Sequence, residues 1–100
     1  MFNRAFFERD LQALLEAYAA DKGSDLPVVE LVLRDSTRYY VDSIELLGQD
    51  WISFRAADDP RNVGAEQGKA PDQITCPYTM LARINFVPRK KESKVGFRLR

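Results

Sequence analysis

The side chains that ordinarily carry catalysis are scarce in this chain. Histidine is absent from all 100 residues, which removes the usual general base near neutral pH and the commonest zinc ligand. A lone cysteine, Cys76, completes neither a structural metal site nor an internal disulfide. Among fifteen carboxylates only Asp58 and Asp59 are adjacent, and they stand beside Pro60, where a solvated loop is the simplest reading. There is no glycine-rich phosphate loop and no nucleophile elbow. These features predict a protein that is not an enzyme and needs neither cofactor nor metal.

Charge offers a different chemistry. Residues 89 to 100 carry Arg89, Lys90, Lys91, Lys94, Arg98 and Arg100 against Glu92 alone, a net +5. The remaining nine cations and fourteen carboxylates lie in residues 1 to 88, a net −5. A basic arm of this kind can neutralise the phosphates of a polyanion, Arg89, Lys90 and Lys91 among its cations. It can equally be drawn to the acidic body of its own or a neighbouring molecule.

The elements that would position such groups follow from periodicity. A composition of 45% apolar and 30% charged residues over 100 residues predicts one ordered domain with one modest core. We assign residues 1–88 to that domain and residues 89–100 to a basic tail or extra strand. No apolar run approaches the roughly 20 residues that cross a bilayer. The opening Met1-Phe2-Asn3-Arg4 lacks the character of an export signal. With a single cysteine, this predicts a cytoplasmic protein with no membrane partner.

From Asn3 to about Asp21, Phe7, Leu11, Leu14, Leu15 and Tyr18 fall on one helical face, with Asn3 a plausible N-cap and Gly23 a plausible C-terminal stop. After Pro27 the period changes to two. Val29, Leu31 and Leu33 would face inward, and Arg34-Asp35-Ser36-Thr37 would turn the chain into a long second strand over 37–47. Its phase slips near Asp42-Ser43, from Tyr39 and Val41 to Ile44 and Leu46, which predicts a bulge. Gly48-Gln49-Asp50 leads into a third strand, 51–56, with Ile52 and Phe54 inside. A polar loop over 57–72 follows, then strands at 73–76 and 82–87 that contribute Ile74, Ile84 and Phe86 to the core. The result is a mainly β domain, one N-terminal helix followed by a five-stranded, strongly bent antiparallel small barrel. The alternation of Val95, Phe97 and Leu99 marks a candidate sixth strand.

This order of elements resembles the Sm-like family of LSm proteins and bacterial Hfq. The segment Ser43-Ile44-Glu45-Leu46-Leu47-Gly48-Gln49-Asp50-Trp51-Ile52-Ser53-Phe54-Arg55 is similar to the Hfq pattern Gln-Ile-Glu-Ser-Phe-Asp-Gln-Phe-Val-Ile-Leu-Leu-Lys, with identities at Ile44, Glu45, Gln49 and Ile52. The segment Ile74 to Ile84 resembles the family's final strand, turn and strand. Ser36 replaces the family's glycine in the first hairpin, Gly48 its aspartate after the second strand, and Cys76-Pro77-Tyr78 the Tyr-Lys-His of Hfq. The resemblance implies a cyclic homo-oligomer of about five to seven subunits, closed by pairing the fourth strand of one with the fifth of the next. It also implies single-stranded RNA or DNA bound at pore-side loops, with Gln49 hydrogen bonding and Trp51 and Tyr78 stacking on bases. The alternative for Trp51 and Tyr78 is packing or subunit contact, and for the whole chain an assembly or protein-interaction module without nucleic acid.

Overall fold

The computed structural model describes residues 2–22, 26–64 and 72–88. A π-helical turn, Phe6–Asp10, runs into helix α1, Leu11–Lys22. Five strands follow: β1 (Val28–Leu33), β2 (Arg38–Leu47), β3 (Trp51–Ala57), β4 (Asp72–Pro77) and β5 (Leu81–Val87). The Asn3 carboxamide oxygen accepts from the Phe6 N–H at 2.9 Å, capping the helix as its position predicted. Among the described residues no helix is long and apolar enough to cross a membrane.

The strands form one antiparallel sheet in the order β4-β3-β2-β1-β5. That order dictates curvature. A flat five-stranded sheet would hold its edges about 19 Å apart, yet Pro77 at the end of β4 and Leu81 at the start of β5 are joined only by the helical turn Tyr78–Met80. Such a link spans at most about 14 Å. The sheet must therefore curl until its edges approach at this end, and Cys76 and Leu81 duly share one core with Leu31, Ile52 and Phe54. Among the described residues β4 and β5 form no ladder with each other, so two strand edges stay open.

The core sits between the curled sheet and the helix. Ile52 and Phe54 are fully buried and Leu31 nearly so, each contributing about 1.5–3 kcal/mol by leaving water. Phe7 and Leu11 close the core from the helix, while Val29, Ile74, Ile84 and Phe86 pack around its margin. Three expected core residues lie outside it. The buried helical stripe steps by four through Phe7, Leu11 and Leu15, leaving Leu14 on its flank and 47% exposed. Ile44 stands opposite Phe54 but at an open margin. Leu46 is 61% exposed because β2 slips twice, between Val41 and Ser43 as the alternation foretold and again between Ile44 and Leu46. The second slip sets Leu46 opposite Ser53 on the outer face and Leu47 opposite Ile52 within.

Strand β1 is buried on both faces, which simple alternation missed. Val28, Glu30 and Val32, on the outward parity, are buried as well, and Glu30 lies between Tyr40 of β2 and Asn85 of β5, its partners in the two ladders. Glu30 is held by Asn85 at 2.7 Å and Arg38 at 3.4 Å. Burial by itself would raise its pKa; hydrogen bonds from Asn85 and Tyr40, together with the Arg38 charge, outweigh that and leave the carboxyl below its ordinary value.

Candidate functional site

At the curled end of the sheet three connections meet. The turn Tyr78–Met80 lies between the β1–β2 turn and the β2–β3 turn and bonds to both. Toward the β2–β3 turn, the Tyr78 N–H donates to the Asp50 carbonyl at 3.1 Å and the Tyr78 hydroxyl donates to the Gly48 carbonyl at 2.9 Å. Toward the β1–β2 turn, the Arg34 N–H donates to the Met80 carbonyl at 2.9 Å and its guanidinium Nε to the Thr79 carbonyl. These bonds fix the relative placement of Arg34, Gln49, Trp51 and Tyr78, which come from separate parts of the sequence.

Local chemistry explains each turn. The β1–β2 turn closes through Leu33 N–H to Thr37 O at 2.8 Å and Ser36 N–H to Leu33 O at 2.9 Å, and Asp35 accepts from the Thr37 N–H at 3.0 Å. Ser36 has φ 73°, the left-handed conformation that glycine adopts without cost. The β2–β3 turn closes through Gly48 N–H to Trp51 O at 2.8 Å.

The sequence-derived candidates fare differently. Gln49 and Trp51 are exposed on the β2–β3 turn and beside it, Trp51 by 41%. Trp51 pairs with Pro77 across the β3–β4 ladder, and its ring points away from the core that holds Ile52. Tyr78 is brought to the same place but turned inward. It is 4% exposed, its ring is stacked on Phe7 with centroids 5.9 Å apart, and its hydroxyl is committed to Gly48. Tyr78 thus has both its ring and its hydroxyl engaged within the fold. Arg89, Lys90 and Lys91 lie outside the described residues, as does Gly23.

Arg34 was missed. By local pattern it is a turn residue, since nothing near it in sequence shows that this turn lands beside Thr79 and Met80. It is exposed at the same end as Trp51 and Gln49 and supplies a cation there. Cys76 is buried, and burial pushes its thiol pKa up, which disfavours the reactive thiolate. Among the described residues no group of histidine, cysteine and carboxylate side chains could hold a metal ion.

A second cluster covers the outer face of β3 and β4, where the Ser53 hydroxyl accepts from Thr75 at 3.0 Å and Gln73 at 3.3 Å. It explains why Ser53, on the outward parity of β3, is only 3% exposed. No family model, curated protein or solved structure matches the chain.

Proposed function

We propose that this chain is a subunit of an Sm-like cyclic homo-oligomer that binds single-stranded nucleic acid, RNA in the first instance, at the curled end of the sheet. The observation that carries the reading is that the Tyr78–Met80 turn bonds to both the β2–β3 turn, where Gln49 and Trp51 are exposed, and Arg34 of the β1–β2 turn, also exposed. An exposed indole, an amide and a guanidinium supply stacking, base-edge hydrogen bonding and phosphate contact. Arg89, Lys90 and Lys91 add positive charge. The open edges of β4 and β5 are the pair that the resemblance assigns to subunit contact, and unpaired edges favour strand addition. A lone buried thiol accords with a cytoplasmic setting.

Trp51 is the only tryptophan, so its emission reports directly on this end of the sheet. Titration with single-stranded RNA at low salt should quench that emission, and the affinity should fall steeply as salt rises. Trp51→Ala should cost about 1–3 kcal/mol of binding while native mass spectrometry still shows a closed oligomer of about five to seven subunits. Absence of RNA and DNA binding at low salt would end the nucleic-acid reading.

A second reading, an assembly module without nucleic acid, draws on two exposed apolar side chains, Leu46 and Trp51, and on the burial of Tyr78. Under it Trp51→Ala changes the subunit number instead of the affinity for RNA.

A further inference from the structure

A groove of about 460 Å³ opens between the helix, the start of β1 and the irregular middle of β2. Leu11 and Leu15 of α1, Val29 of β1, and Val41 and Ile44 of β2 line it, with Val63 at one side. The charged residues among its described lining are both carboxylates, Glu8 and Asp42. Asp42 stands there because the first slip in β2 leaves it out of the β2–β3 pairing, and its carboxylate holds the Gly64 N–H at 2.6 Å. The volume lies within the usual range for ligand pockets, and an apolar groove of this size left to water forgoes burial that the rest of the core enjoys.

The fold delivers a candidate occupant to its mouth. Strand β5 ends at Val87, which pairs with Val28, and Val28 itself lines the groove. Beyond Pro88 the sequence continues through residues 89–100, whose second half alternates Val95, Phe97 and Leu99 with Arg98 and Arg100. The eleven residues that follow Pro88, up to Leu99, can extend by up to about 36 Å, enough to turn back along the helix. The charges match: residues 94–100 carry Lys94, Arg98 and Arg100 with no carboxylate, a net +3, and the groove's charged lining is acidic.

We propose that residues 94–100 occupy this groove in their own subunit, with Val95, Phe97 and Leu99 directed into it and the flanking cations set against Glu8 and Asp42. This is independent of the nucleic-acid reading, because Arg89, Lys90 and Lys91 precede the docked stretch and stay available to phosphate. Apolar contact supplies most of the stabilisation, since exposed ion pairs contribute little.

The test uses the full chain carrying Arg100→Cys and a nitroxide label; Cys76 is buried and should escape labelling. Methyl resonances of Leu15, Val41, Ile44 and Val63 should broaden when label and isotopes share one chain. They should stay sharp when labelled chains without isotopes are mixed with isotopic chains without the label. Phe97→Asp should abolish the broadening and raise binding of an apolar dye several-fold over wild type. Sharp methyls in the singly labelled chain, or equal dye binding by wild type and Phe97→Asp, would overturn the proposal. Broadening that also appears in the mixed sample would assign the groove to a neighbour's tail and overturn it equally.

Discussion

The Trp51 indole lies against the backbone of Gly48, so closely that a Cβ on Gly48 would stand 2.2 Å from Cε2 and 2.6 Å from Cδ2 and Nε1. Real Cβ atoms do not approach a ring this way, so Gly48→Ala must expel the indole or open the turn. We expect a loss of about 1–3 kcal/mol, as for other overpacked sites, with a shift in tryptophan emission. Urea unfolding and fluorescence check both. Unchanged emission would mean that the indole does not rest on the turn.

Tyr78 joins two turns through its hydroxyl and the core through its ring. Tyr78→Phe removes one hydrogen bond and should cost about 0.5–1.5 kcal/mol. Tyr78→Ala also empties the space beside Phe7 and should cost about 3–5 kcal/mol. Chemical unfolding of both variants separates the two roles, and equal losses would show that the ring's packing contributes nothing measurable beyond the hydroxyl.

Ser36 occupies a left-handed conformation, φ 73°, that costs a residue bearing a Cβ about 1–2 kcal/mol. Glycine removes that strain but loses more entropy on folding. Ser36→Gly should therefore raise stability by about 0.5–1 kcal/mol and Ser36→Val should lower it. Thermal unfolding gives the sign; a destabilised Ser36→Gly would contradict the turn geometry.

Glu30 couples stability to acid. Its pKa in the folded protein lies below the ordinary 4.5, so its contribution is full above that value and is lost as pH falls through the folded value. Glu30→Gln should lower stability at neutral pH and flatten the stability profile below about 4.5. Stability measured from pH 7 down to pH 3 tests this, and an identical acid slope in both proteins would refute it.

The first slip in β2 was legible because Tyr39 and Val41 share one parity and Ile44 the other. The second was not, because Leu46 and Leu47 are both apolar and alternation cannot choose between them. The helix-then-strands order and the inward placement of Ile52 and Phe54 were legible for the same reason that the first slip was: period alone decides them. The burial of Glu30 depends on which strands flank β1, a nonlocal fact that its own neighbours do not encode. The site shows the same division. Trp51 could be placed beside a turn from local pattern, whereas Tyr78 is removed from the surface by Phe7, distant in sequence. Arg34 joins the site only because two turns far apart in the chain come together.

The interior position of β1 has a consequence for how the chain reaches this structure. Glu30 meets Asn85 across 55 residues, and β1 cannot complete its second ladder until β5 has been synthesised. Until then Val-Val-Glu-Leu-Val-Leu presents an open, strongly apolar strand edge to every other nascent chain nearby. Nonlocal pairing of this kind slows folding, since a long loop must close before its contacts are gained. Emergence from the ribosome is therefore the interval in which this protein is most exposed to aggregation, and the preceding helix is the first element able to cover the strand.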